Sequence, residues 1–147
     1  MSITDLLQSA DVHLDVDLGS KKEVLQFLSE RVSERCGSRV DECRHALAAR
    51  EKLGSTAIGS GIAFPHAQLE GLDEAMAVFL RPATPVDFGA ADGTPVDLVL
   101  LLLTPAGASK THLEGIASFA RALRKADTIK QLRSAQSAEE VMAAFEN

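Results

Sequence analysis

Along residues 12–18, apolar Val12, Leu14, Val16 and Leu18 alternate with polar His13, Asp15 and Asp17. A period of two predicts a strand with one buried face. The period then lengthens. Ser20 followed by Glu23 has capping-box spacing. Val24, Leu25, Phe27, Leu28 and Val32 then recur at helical intervals until Gly37. A second helix is expected from about residue 41 to Lys52, with Gly54 as the residue that closes it. Its inward stripe runs through Cys43, Ala46 and Leu47 and continues to Arg50. A guanidinium on an apolar stripe needs a partner or must reach water.

Periodicity lapses over residues 54–66, where Gly54, Gly59 and Gly61 punctuate the chain. Residues 62–64 predict a short strand, and Pro65 restricts Phe64 to an extended backbone. Residues 75–80 predict another strand. Pro82 and Pro85 bracket a turn, residues 86–88 form a short extended piece, and Asp92-Gly93 is a tight turn. Residues 96–103 are almost continuously apolar, as suits a central strand buried on both faces. Thr104-Pro105 ends it. Ser109 can cap a long helix whose inner face is Leu113, Ile116, Ala117, Ala120 and Leu123. A second capping box, Ser137 to Glu140, precedes a short helix with Val141, Met142 and Phe145 inward. Helix and strand alternate without repeats or composition breaks. This predicts a single α/β domain over residues 1–147, with helices packed on a mostly buried sheet.

Composition narrows the function classes. The 147 residues are 46% hydrophobic and 24% charged, enough to build a core. The strongest apolar run, residues 98–103, is far short of the roughly 20 residues of a membrane span, so no direct membrane insertion is expected. A net charge of −6 argues against nucleic acid as a partner. All six aromatics are Phe, which leaves no Tyr or Trp platform for stacking sugars or bases. Cys36 and Cys43 form no CxxC, and on one helix their spacing would hold them roughly 10 Å apart. With no leader visible at the N-terminus, the expectation is a cytoplasmic protein with reduced thiols.

Four histidines remain as candidate chemistry. His13 lies on the polar side of its strand and His45 in mid-helix; both are expected to be solvated. His66 follows a glycine-rich segment and Pro65, which should hold its backbone rigid. His112 falls in the first turn of the long helix, at the edge of its apolar face. A helix N-terminus disfavours imidazolium and attracts anions. Ser109, Lys110 and Thr111 add donors and a charge there, although an ordinary capped helix explains the same residues. No metal site is expected, because zinc wants three or four ligands and neither HExxH nor CxxC is present. No cofactor motif appears: GSG at Gly59–Gly61 is not a GxSxG elbow, and the segment lacks both a Walker lysine and GxGxxG. What remains is neutral imidazole as a nucleophile toward a phosphoryl group. Arg50 fits the cation role, and Ser55 and Thr56 with loop N–H groups could supply donors.

These residues carry a recognisable pattern. R-E-K-L-G-S-T-A-I-G-S-G-I-A-F-P-H-A, residues 50–67, resembles the phosphorylation-site motif of the fructose/mannitol-type enzyme IIA domains of the bacterial phosphoenolpyruvate phosphotransferase system (PTS). Residues 85–105 resemble the same family's central strand region. K-T-H-L at 110–113 and L-R-S-A-Q-S-A-E-E at 132–140 look closest to its nitrogen-regulatory branch. The resemblance spans essentially the whole chain.

The resemblance implies a mixed β-sheet flanked by helices on both faces. It implies that His66 accepts the phosphoryl group, that His112 hydrogen-bonds near it, and that Arg50 stabilises it. Ser55 and Thr56 match a hydroxyl pair with a structural or donor role. The implied donor is the phosphohistidine of a small carrier, HPr or its nitrogen-branch analogue NPr. The implied recipients are partner proteins regulated by phosphorylation state; the alternative is a sugar-specific component that passes the group to a IIB domain. An interaction module that works without phosphorylation is a further alternative. Two positions depart from the pattern. Ala67 stands where Gly is common, so its methyl could restrict the backbone beside His66 or alter docking. Phe64 replaces a more usual aliphatic residue.

Overall fold

The computed structural model describes residues 2–37 and 40–146. A short helix α1 (Ile3–Leu6) leads into β1 (Leu7–Val16), followed by α2 (Lys21–Cys36) and α3 (Val40–Lys52). A hairpin of β2 (Ala57–Gly59) and β3 (Ile62–Ala63) precedes β4 (His66–Leu69), β5 (Met76–Pro82) and β6 (Leu98–Pro105). The chain ends with α4 (Ser109–Leu123), α5 (Ala126–Ser134) and α6 (Ala138–Phe145). The strands form one mixed sheet in the order β1-β5-β6-β3-β2, and β4 also pairs with β6. β5 runs antiparallel to β6, whereas β3 and β4 both run parallel to it.

β6 is the centre of the sheet, and its alternation sorts the core into two layers. Val99, Leu101 and Leu103 join Val24, Leu28, Cys43 and Leu47 of α2 and α3 on one face. Leu98, Leu100 and Leu102 join residues of α1 and α4–α6 on the other, including Phe119, Leu132 and Val141. The near-continuous apolar run is thus the expected strand buried on both sides. The mixed sheet flanked by helices on both faces is confirmed.

Several local expectations are corrected. β1 starts at Leu7 and stops alternating at Asp15, where φ is +57° and the register with β5 shifts. α5 carried no expected helix. Ser109 is the first helical residue of α4 and not its cap; Ala108 holds that place without a side-chain bond. The turn through Gly107, at φ +86°, starts the helix one residue early.

The inner face of α4 is rotated from the expected one. Gly115, Phe119 and Leu123 are buried, whereas Leu113 is 66% exposed and Ala117 is exposed. Gly115 sets this rotation. A Cβ there would lie 2.8 Å from Leu102 Cδ2, so glycine lets α4 approach β6 this closely without displacing that side chain. The two cysteines belong to different helices, α2 and α3, and neither forms a disulfide. Burial pushes the Cys43 thiol up to about 11. Half of each expected capping box forms, with Ser20 accepting from the Glu23 amide and Ser137 from that of Glu140; the glutamates accept from the Gly19 and Gln136 amides, one residue before the caps.

Candidate functional site

His66 opens β4, directly beside Leu102 of β6. The lead-in is rigid. The Phe64 amide donates to the Thr56 carbonyl (2.9 Å), and the Leu102 amide donates to the Pro65 carbonyl (3.0 Å). The residue expected on a loop therefore starts a strand. Among the described residues that strand pairs only with β6, which leaves its other edge open. Helices from both faces of the sheet can reach a side chain there.

α4 reaches it from one face. His112, in the first turn, places its ring 5.6 Å from that of His66, at an interplanar angle of 64°. Nδ1 of His112 hydrogen-bonds Thr104 Oγ1 at 2.7 Å, and Thr104 is fully buried near the end of β6. That bond commits Nδ1 and leaves Nε2 as the ring nitrogen available to a ligand. Beneath the pair, the Phe64 ring lies 5.1 Å from His66 and 5.2 Å from Phe119. An aromatic floor thus supports the His66 imidazole.

α3 reaches it from the opposite face. Arg50, in its last turn, donates from Nη1 to the Gly54 carbonyl at 2.9 Å. This is the partner that its place on an apolar stripe demanded. The remaining guanidinium N–H groups stay available. The next residue, Glu51, is nearly buried, with its side chain 6% exposed. Its carboxylate accepts from the Thr56 amide (3.2 and 3.3 Å) and from the Thr56 hydroxyl. It also pairs with Lys21 Nζ at 2.7 Å.

The charges define the state of the rings. Burial, reinforced by the charge of Arg50 and by His112 and opposed by Glu51, pushes the His66 pKa down to about 4. Burial also lowers that of His112. Both rings are neutral near pH 7, with nucleophilic lone pairs.

The five residues singled out in the sequence divide into two groups. His66 and His112 stand ring to ring, and the Arg50 charge acts on His66. The Ser55 and Thr56 hydroxyls are occupied elsewhere: Ser55 Oγ donates to the Phe88 carbonyl at 2.7 Å, and Thr56 Oγ1 donates to Glu51. They brace the loop between α3 and β2. Sequence reasoning passed over Thr104, Glu51 and the aromatic support from Phe64. Thr104 did carry a signal, as a polar residue at the carboxyl end of a buried strand, where α/β sheets collect their ligands. Of the other histidines, His45 is exposed as expected, but His13 is half-buried against Phe27, ring centroids 5.2 Å apart. The Ala67 methyl points away from His66, into the core on the α2–α3 face. Among the described residues, no group of three or more His, Cys, Asp or Glu could hold a metal ion. No helix among them is long and apolar enough to cross a membrane.

Residues 5–147 match the family model described as "Phosphoenolpyruvate-dependent sugar phosphotransferase system, EIIA 2". The chain is 41% identical to a nitrogen regulatory protein of Bradyrhizobium diazoefficiens over 141 residues, 96% of this chain and 92% of that one. It is 42% identical to that of Pseudomonas aeruginosa over 127 residues, 86% and 82% of the two chains. The crystal structure of nitrogen regulatory protein IIA-Ntr from Neisseria meningitidis superposes with a TM-score of 0.91 at 35% identity, covering 97% of this chain and 98% of that one.

Proposed function

Because the chain belongs to the type-2 EIIA family of the phosphotransferase system, on the side of its nitrogen-regulatory members, we propose that it accepts a phosphoryl group on His66 from a small carrier protein and regulates partners by its phosphorylation state. The observation that carries this reading is the convergence of neutral His66, neutral His112 and Arg50 at one open strand edge. EIIA domains act as phosphotransferases, and a neutral, half-buried imidazole is the nucleophile that such a transfer requires.

In this mechanism the His66 lone pair attacks phosphorus in line as the N–P bond of the carrier's phosphohistidine breaks. The bond electrons return to the carrier's imidazole. Each ring keeps the proton on its other nitrogen, so no external base is consumed. Arg50 contributes charge and a fork of N–H groups to the equatorial oxygens, where charge spreads as the bond loosens. Thr104 donates its hydroxyl proton to His112 Nδ1, and His112 Nε2–H then donates to a phosphoryl oxygen. The donor is HPr-like or NPr-like, and the recipients are regulated partner proteins. The protein works in the cytoplasm, where carrier and phosphoenolpyruvate meet.

The test is phosphoryl transfer from phosphoenolpyruvate through the general carriers to the purified protein. Wild type is expected to gain one acid-labile phosphoryl group and His66→Ala none. An acid-labile phosphoryl group on His66→Ala would overturn the assignment, and a wild type that takes up none would favour a pure interaction module. The fructose-specific EIIABC component of Bacillus subtilis, 31% identical over 97% of this chain but only 22% of its own length, keeps the sugar reading alive. Rapid onward transfer to an isolated IIB domain would favour that reading over regulation.

A further inference from the structure

Away from His66, a groove of about 510 Å³ runs between α2 and α3. Its rim is cationic: Lys21 and Lys22 from α2, and Arg44 and Lys52 from α3, with His45 beside them. One carboxylate, Glu51, lies among them. Four cations around a single anion stand out on a chain with a net charge of −6. The floor is aliphatic, formed by Leu25 and Ala48.

Lys52 lies in the last turn of α3, where the helix dipole favours a cation, but the α2 pair goes against that rule. Lys21 and Lys22 are the first two residues of α2, on the positive end of their own helix, where cations are unfavourable. Glu51 at 2.7 Å and the Phe88 ring at 5.1 Å offset this for Lys21. Among the described residues, no ion pair or hydrogen bond engages the side chains of Lys22, His45 or Lys52. Arg44 holds only Asp41, its exposed neighbour one turn away. Lys22 thus breaks the local rule with no compensating contact among the described residues, the kind of conflict that functional surfaces carry.

We propose that this groove docks an acidic segment of a partner protein, with an aliphatic side chain seated on Leu25 and Ala48 and carboxylates on Lys22, Arg44 and Lys52. The groove's chemistry favours this occupant over a compact polyanion. No Phe, Tyr or Trp ring lines it to stack a nucleobase. At the start of α2 the cap is already in use, since Ser20 Oγ accepts from the Glu23 amide. A dense anion would face Glu51 directly, whereas carboxylates spaced along a chain can avoid it.

Glu51 links the groove to the phosphoryl-acceptor site, a clause that rests on the function proposed above. The same carboxylate holds Lys21 on the groove side and Thr56 on the loop side, and its charge is felt at His66. A docked carboxylate that draws Lys21 away leaves Glu51 less neutralised, which opposes a phosphoryl dianion on His66. By reciprocity, phosphorylation weakens docking. The groove thus binds the unphosphorylated protein preferentially.

The test uses fluorescence anisotropy with a labelled peptide, Glu-Asp-Leu-Glu-Glu-Leu-Asp-Glu, and the full chain. Controls are the same peptide with both leucines changed to serine, the same peptide with lysine for every acid, and inorganic pyrophosphate. The acidic leucine peptide is expected to bind, and the double variant K22E/K52E to weaken it at least about tenfold, the scale of lost close charge pairs. The milder K22Q/K52Q should weaken it less but in the same direction, which guards against misfolding of the reversal variant. The serine peptide should bind several-fold more weakly. Binding unaffected by either variant, or equal binding of the lysine peptide, overturns the proposal. Pyrophosphate that binds as tightly as the peptide and displaces it also overturns it, in favour of a small-anion site. Because His66→Ala should bind like wild type, failure of the phosphoryl reading leaves docking measurable. Equal affinity of phosphorylated and unphosphorylated wild type overturns the linkage.

Discussion

Two helix ends meet at His66 from opposite faces of the sheet, and they are built differently. The last turn of α3 delivers Arg50, tethered through a single bond to the Gly54 carbonyl. The first turn of α4 delivers His112, whose Nδ1 is bonded to fully buried Thr104. The arginine end supplies charge that can follow a ligand. The histidine end supplies a fixed direction. Charge is effective over several ångströms, whereas a hydrogen bond weakens steeply once misaligned. Under the proposed function, one adaptable arm and one rigid arm would stabilise a moving phosphoryl group while holding its acceptor still.

The largest expected effect comes from removing the adaptable arm. Arg50→Ala should slow phosphoryl uptake by about 10²–10³-fold, the scale on which one charged stabiliser of a transition state acts. Arg50→Lys should recover only part, because an ammonium lacks the planar fork. Quenched-flow transfer from the phosphorylated carrier measures both. A variant within threefold of wild type would show that Arg50 plays no part.

Next comes the protonation state that the arms share. The folded His66 pKa lies near 4, below the usual 6.5. As pH falls below 6.5, the unfolded chain binds a proton first, while the folded chain resists until about pH 4. Stability is therefore fully present above pH 6.5 and is lost as the pH falls through that window. With screening at this half-buried site, His66 accounts for about 2 kcal/mol of the loss. His13 and His112, both lowered by burial, add to it in the same direction. Urea melts at pH 7 and pH 4.5 should show a smaller acid loss for His66→Gln than for wild type. Equal losses would place the titration elsewhere.

The rigid arm is tested by Thr104→Val, which keeps the shape and removes the hydroxyl. A cost of about 1 kcal/mol in stability is expected from the lost hydrogen bond. Transfer should slow by about tenfold as His112 loses its fixed tautomer. Thr104→Ser should restore most of the rate, and ¹⁵N shifts of the His112 ring should report the tautomer in each variant. The smallest effect is expected at Ala67. Its methyl packs on the α2–α3 face, so Ala67→Gly should leave the transfer rate within about twofold and cost at most about 1 kcal/mol in stability. A larger rate change would mean that the methyl acts on the His66 backbone after all.

The fold was legible where one period dominated. β6 is apolar on both faces and could only be central; α2 and α6 declare their starts through side-chain caps that form as written. Legibility failed where tertiary contact overrode the local signal. The apolar positions of α4 permitted an inner face through Leu113 and Ala117, but Gly115 decided the rotation by allowing contact with Leu102. The same rotation seats His112 over Thr104. α5 went unread between stronger signals. The proposed site was legible in part: His66, His112 and Arg50 could be named because their chemistry is distinctive. Ser55 and Thr56 were named with them for their hydroxyls, and the sequence could not show that Phe88 and Glu51 already use them.

The sequence by itself determined the class of the fold, the family and the acidic character, because these follow from period, motif and composition, which are properties of the unfolded chain. Tertiary structure decided what those residues face. An open strand edge lets helices from both sides of the sheet converge on His66, burial makes the ring neutral, and one carboxylate, Glu51, joins the loop of the site to a basic groove. Each of these depends on distances between segments far apart along the chain and on exclusion of water, and neither exists until the two core layers have closed on the sheet.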